Sequence, residues 1–130
     1  MSDLAKKRIL VVDDEDDIRE IAQVSLEVVG GWEVITAGSA AEGLEKAVSA
    51  APDAILLDVM MPEMDGPTLF GHLLANDATR HIPVILLTAR VQASDRRRFA
   101  ALGVAGVIAK PFDPMTLPAQ VAQTLGWAQE

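Results

Sequence analysis

The chain has 130 residues, with 11 Lys plus Arg against 19 Asp plus Glu, a formal charge of −8 and no cysteine. That length suits one domain of ~100–150 residues with a core of its own, and the lack of cysteine excludes disulfides, thiol nucleophiles and Cys-ligated metal centres. The acidic balance, with a pI near 4.6, argues against nucleic acid as a direct partner, because phosphate binding rests on Lys and Arg.

Residues 1–8 are polar and basic, and the apolar run at 9–12 is too short for a signal-peptide core or a membrane span, so a soluble, cytoplasmic protein is expected. That run has no alternation and suits a strand buried on both faces; it ends in Asp13-Asp14. Residues 16–29 then place Ile18, Ile21, Ala22, Ser25 and Val28 on one helical face. Residues 32–37 mix Trp32, Val34 and Ile35 with Glu33 and Thr36, which fits a less buried edge strand. Ser39-Ala40-Ala41-Glu42 reads as a capping box opening a second helix that ends near Ala50, before Pro52.

A second buried strand is expected at 54–57, followed by Asp58, and a helix at 67–75 with Leu69, Phe70, Leu73 and Leu74 as its apolar positions. The run 84–87 leads into Thr88, and 92–102 forms a fourth helix stopped by Gly103. The last short strand, 107–109, leads into Lys110; a fifth helix opens near Asp113-Pro114 and runs towards Leu125. Pro118 lies past the first turn of that helix and predicts either a kink or a later start. Strands alternating with helices along the whole chain imply an α/β fold, a three-layer doubly wound (βα)5 sandwich on a five-stranded parallel sheet.

In such a sheet the carboxyl ends of all strands share one edge, where ligands bind. Asp13, Asp14, Asp58, Thr88 and Lys110 should therefore converge. Three carboxylates together repel unless a cation binds or one stays protonated. Oxygen ligands without His or Cys favour a hard ion such as Mg²⁺. About −3 from the aspartates, +2 from the metal and +1 from Lys110 leaves a nearly neutral site that can accept a phosphoryl group. Phosphoryl transfer needs mainly positioning and charge neutralisation, and a carboxylate can itself be the nucleophile.

These stretches also carry a resemblance. Ile9–Glu15, then Leu57-Asp58-Val59-Met60-Met61-Pro62-Glu63-Met64-Asp65-Gly66, Pro83–Ala89 and Ile108-Ala109-Lys110-Pro111-Phe112 resemble the receiver domains of two-component response regulators, across about residues 7–125. The resemblance implies strand order 2-1-3-4-5 and a single receiver domain over 1–130, with no output domain after it. It implies that Asp58 accepts a phosphoryl group from a histidine kinase or phosphotransfer protein. Asp13, Asp14, Asp58 and the backbone carbonyl of Met60 would hold Mg²⁺, Thr88 and Lys110 would contact phosphoryl oxygens, and Lys110-Pro111 would be cis. Met60 and Arg90 would flank the site and tune phosphoryl lifetime. The expected output is regulation of a separate protein, by a monomer or a weak phosphorylation-dependent dimer, with no direct nucleic-acid or membrane contact and no enzymatic role beyond its own phosphorylation and dephosphorylation.

One departure bears on the switch. Relatives carry an aromatic residue three positions before the lysine; here that position is Val107, and the chain has no tyrosine. Two other readings follow: an interaction module that works without phosphorylation, and a phosphatase of the haloacid dehalogenase type with Asp13 as nucleophile. A flavin carrier is disfavoured, because no Ser/Thr/Gly-rich phosphate loop follows the first strand. Arg96-Arg97-Arg98 reads as a solvated helix face, His72 and His81 as surface residues, and Met60, Met61 and Met64 as loop packing.

Overall fold

The structure is a computed structural model and describes residues 6–89 and 92–127. Five parallel strands, β1 (Arg8–Val12), β2 (Glu33–Ala37), β3 (Ala54–Asp58), β4 (Val84–Thr88) and β5 (Gly106–Ala109), form one sheet in the order β2-β1-β3-β4-β5. Five helices alternate with them: α1 (Asp16–Val24), α2 (Ala40–Ala50), α3 (Gly66–Ala75), α4 (Ala93–Leu102) and α5 (Leu117–Leu125). Among the described residues no helix is long and apolar enough to cross a membrane.

The central strands are continuous apolar runs because both faces are covered. Alternate residues point to opposite sides. Leu10, Val12, Ile55, Leu57, Val84 and Leu86 meet Ala40 and Ala47 of α2, Leu69, Phe70 and Leu73 of α3 and Phe99 of α4. Ile9, Val11, Ala54, Leu56, Ile85 and Leu87 meet Ala22 of α1, Leu26 just beyond it, and Leu117 and Val121 of α5. The edge strand β2 is only partly buried, as its mixed composition implied.

Three expectations are corrected. Regular α1 stops at Val24 and continues as a π-helical turn over Ser25–Val29, with the Gly30 amide donating to the Ser25 carbonyl at 3.2 Å. The buried stripe therefore runs through Ala22, Ser25 and Leu26, while Ile21 is 43% and Val28 76% exposed. In α3, Leu74 faces outward beside the buried Leu73. The fifth helix does not open near Asp113-Pro114 but starts at Leu117, the later start that Pro118 allowed. Asp113 instead closes a turn, accepting the Met115 amide on its side chain at 2.9 Å and the Leu117 amide on its carbonyl at 2.9 Å. Pro118 thus falls in the first turn, where its missing N–H costs nothing. Ser39 caps α2 as expected, its Oγ accepting from the Glu42 amide at 3.1 Å, but the Glu42 side chain accepts from the amide of Gly38 at 2.8 Å, one residue before the cap, so the reciprocal half of the box is shifted.

Candidate functional site

The parallel register brings the strand ends level. Val12 pairs with Ala37 and Leu57, Asp58 with Leu87, and Thr88 with Ala109. One residue past β1 stands Asp13, and one past β5 stands Lys110, whose amide donates to the Thr88 carbonyl at 2.9 Å. The Lys110-Pro111 peptide is cis. Beyond β3 the chain folds back over its own strand. The Gly66 amide donates to the Val59 carbonyl at 2.9 Å, and a Cβ on Gly66 would lie 2.4 Å from the Asp58 carbonyl oxygen. Gly66 is therefore demanded by close approach. The left-handed turn residue is Glu63, with φ 69°, and Asp65 caps α3 by accepting the Thr68 amide at 2.8 Å.

Asp13, Asp58 and Thr88 are almost wholly buried at 0%, 3% and 3% exposure, whereas Asp14 is exposed. Carboxylate oxygens of Asp13, Asp14 and Asp58 lie within 4.8 Å of one another. The Lys110 ammonium sits 2.8 Å from Asp13 Oδ2, 3.1 Å from Asp58 Oδ1 and 3.5 Å from Glu15 Oε1. One cation therefore answers several carboxylates.

Burial, and then the Asp13 charge, raise the Asp58 carboxyl to about 6, against the opposing pull of Lys110 and the Met60 amide. Burial lowers the Lys110 ammonium, but its pairs with Asp13 and Asp58 outweigh that and leave it raised. The 2.8 Å contact of Lys110 with Asp13 Oδ2 is an ion pair without hydrogen-bond alignment, so that buried oxygen accepts no hydrogen bond from the described residues. An orphaned carboxylate oxygen beside two further carboxylates suits a hard divalent cation, and this acidic cluster could hold one.

The sequence-expected residues Asp13, Asp14, Asp58 and Lys110 come together, with Thr88 at the neighbouring strand end. Met60 joins through its backbone: its amide donates to Asp58 Oδ1 at 3.3 Å, while its side chain is 70% exposed. Arg90 lies outside the described residues. Arg96, Arg97, Arg98, His72 and His81 are exposed, and Val107 is half-buried against the core.

Two participants escaped the sequence reading. Glu15 reaches Lys110, and Arg19 donates from Nη1 to the Asp13 carbonyl at 2.7 Å. A lone cation one turn into an acidic helix start, where the helix dipole disfavours it, was the available signal for Arg19.

The response regulator receiver domain family matches residues 9–122. The alkaline phosphatase synthesis transcriptional regulatory protein PhoP of Bacillus subtilis is 39% identical over 119 residues, 92% of this chain and 48% of PhoP. The phosphate regulon transcriptional regulatory protein PhoB of Pseudomonas aeruginosa is 37% identical over 92% of this chain and 52% of its own length. The chain thus spans about half the length of these curated relatives. Among solved structures, chemotaxis protein CheY4 of Vibrio cholerae superposes with a TM-score of 0.85 at 32% identity, covering 92% of this chain and 99% of CheY4. A putative response regulator from Chloroflexus aurantiacus gives 0.83 at 32% identity, over 93% and 98%. Sheet order, strand-end chemistry and sequence agree: this chain belongs to the response regulator receiver domains, the signal-transduction module of two-component systems.

Proposed function

We propose that the chain is a phosphorylation-dependent switch in which Asp58 accepts a phosphoryl group from a phosphohistidine of a histidine kinase or phosphotransfer protein, in a Mg²⁺-dependent reaction, and that the phosphorylated form regulates a separate protein. The observation that carries this reading is the buried Asp58 carboxylate, 3% exposed, sharing the Lys110 ammonium with Asp13 at one end of the sheet. Asp58 Oδ1 meets the Met60 amide at 3.3 Å and the Lys110 ammonium at 3.1 Å, yet burial, and then the Asp13 charge, raise its pKa to about 6, which leaves it ionised at neutral pH and able to attack.

In the step itself, a carboxylate oxygen of Asp58 forms a bond to phosphorus while the phosphorus–nitrogen bond of the donor breaks. The imidazole leaves with that bonding pair, neutral when its other nitrogen carries a proton. Lys110 releases part of its hold on Asp58 and pairs with a phosphoryl oxygen, and the Thr88 hydroxyl donates to another. Asp13, Asp14, Asp58 and the Met60 carbonyl would hold Mg²⁺, which supplies neutralisation of charge on the transferring group. Water attacking the same phosphorus breaks its bond to the Asp58 oxygen, releasing inorganic phosphate and returning Asp58 as a free carboxylate.

Phosphorylation replaces one charge with about two and adds three strong acceptors. Thr88 ends β4 and its carbonyl already bonds the Lys110 amide, so both groups that follow the new acceptors share one backbone link. With Val107 half-buried in place of an aromatic side chain, the signal passes by shift of that backbone and repacking around Val107. The test is phosphoryl uptake from acetyl phosphate, followed by intact-protein mass. Uptake of one phosphoryl group with Mg²⁺, and none with EDTA, is expected; equal uptake in both contradicts the reading.

A further inference from the structure

We propose that Arg19 is a positioning residue for the carboxylate cluster: its guanidinium holds the turn between β1 and α1 so that Asp13 and Asp14 stand ready as a pair of cation ligands. The inference rests on reading that cluster as a cation site.

The amide, the carbonyl and Oδ1 of Asp13 each take part in a hydrogen bond, and Oδ2 has only the ion pair with Lys110. Its amide donates to the Ala37 carbonyl at 3.1 Å, its Oδ1 accepts the Glu15 amide at 2.9 Å, and its Oδ2 faces Lys110 at 2.8 Å. Its carbonyl lies one residue past β1, where the ladder has ended, and Arg19 Nη1 donates to it at 2.7 Å. The other terminal nitrogen of the same guanidinium pairs with the Asp16 carboxylate in the first turn of α1. One planar group therefore bridges residue 13 to residue 16 and pins the two residues between them, Asp14 and Glu15. A lysine has no rigid fork to span both partners.

The neighbouring loop is shaped around this contact. A Cβ on Gly38 would come within 3.1 Å of Arg19 Nη1, so a residue without a side chain lets the guanidinium lie flat there. On the far side stands Glu42, whose carboxyl pKa is lowered first by the Gly38 amide, then by Lys46, and least by the Arg19 charge. Arg19 is 22% exposed on its side chain and so is held between two loops rather than in open water.

Charge and placement make opposite demands, and this makes the proposal testable by sign. As a bare positive charge near a cation site, Arg19 weakens divalent binding, and its removal would tighten it. As a brace for Asp13 and Asp14, its removal weakens binding. Loss of a group that orients metal ligands costs about 10-fold or more in affinity.

Calorimetric titration of Mg²⁺ into the wild type, Arg19→Met and Arg19→Lys measures this directly. Arg19→Met is expected to bind about 10-fold more weakly and Arg19→Lys to fall between it and the wild type. In metal-free protein the Glu15 amide, which donates to Asp13, should exchange with solvent faster in Arg19→Met. If Arg19→Met does not fold in a thermal melt, Arg19→Lys decides alone: weaker binding than wild type supports the brace, and equal or tighter binding overturns it. A wild type that binds no Mg²⁺ overturns the cation reading together with this inference. A wild type that binds, beside an Arg19→Met that binds equally or more tightly, overturns the inference and leaves the cation reading standing.

Discussion

The two edges of the sheet handle charge in opposite ways. At the amino edge Arg8 is surrounded by partners: its amide donates to Asp53 at 2.8 Å, Nη1 to the Ala50 carbonyl at 2.7 Å and Nε to Glu33 at 3.2 Å, with both side chains of the last pair at least 40% exposed. Beside it Trp32 and Trp127 meet edge to face at 5.3 Å, and the Lys7 ammonium lies 4.9 Å from the Trp127 ring centre. At the carboxyl edge Asp13 and Asp58 are buried, and together with exposed Glu15 they share one lysine. Exposed, partnered charges cost little and contribute little; buried carboxylates in excess of their cations carry a standing cost. The amino edge closes the fold, and the carboxyl edge stores unfavourable electrostatics that a ligand can relieve.

The largest effect should come from relieving that cost at Asp58. A carboxyl whose pKa rises from 3.8 to about 6 on folding adds stability below pH 3.8, and that contribution is lost as pH rises through about 6. In EDTA, the stability difference between wild type and Asp58→Asn should therefore move by about 3 kcal/mol against the wild type between pH 3.5 and 8, measured by urea unfolding. A difference that does not change with pH would remove the contrast between the edges. At pH 8, Mg²⁺ at about a hundredfold excess over its Kd should return about 2.7 kcal/mol to the wild type.

Gly66→Ala tests the backbone that shapes the same edge. Its Cβ would press on the Asp58 carbonyl and on Val59 Cα, so a loss of about 2–3 kcal/mol is expected in urea unfolding, with weakened Mg²⁺ binding. Trp127→Ala at the opposite edge should cost about 1–2 kcal/mol in the same assay and leave Mg²⁺ affinity unchanged. A changed affinity there would mean that the edges are coupled. The smallest effect belongs to Glu33→Gln, under about 0.5 kcal/mol by double-mutant cycle with Arg8.

The edges also differed in how far they could be read from the chain. Buried strands appear as unbroken apolar runs, so the polar residue ending each one stands out, and Asp13, Asp58, Thr88 and Lys110 were legible for that reason. Glu15 and Arg19 were not, because a charged residue on an acidic helix start looks the same whether it touches solvent or a strand end. The π-helical turn at Ser25–Val29 left no mark in the hydrophobic spacing, which assumes a constant helical period; Leu26 was thus exchanged for Val28 in the expected core. Pro118 was informative in the other direction, since only a start near Leu117 gives it an unneeded donor position. Gly66 was visible as a glycine, but its role in admitting the Asp58 carbonyl depends on a contact between loop and strand that no local pattern records.

The central claim is that Asp58 is the atom-level acceptor at the carboxyl edge. Acyl phosphates are reduced by borohydride, so protein treated with acetyl phosphate and Mg²⁺, then borohydride, should yield a peptide with homoserine in place of Asp58 on mass spectrometric sequencing, and none from Asp58→Asn. Homoserine at Asp13, or equal labelling of Asp58→Asn elsewhere, would contradict the account.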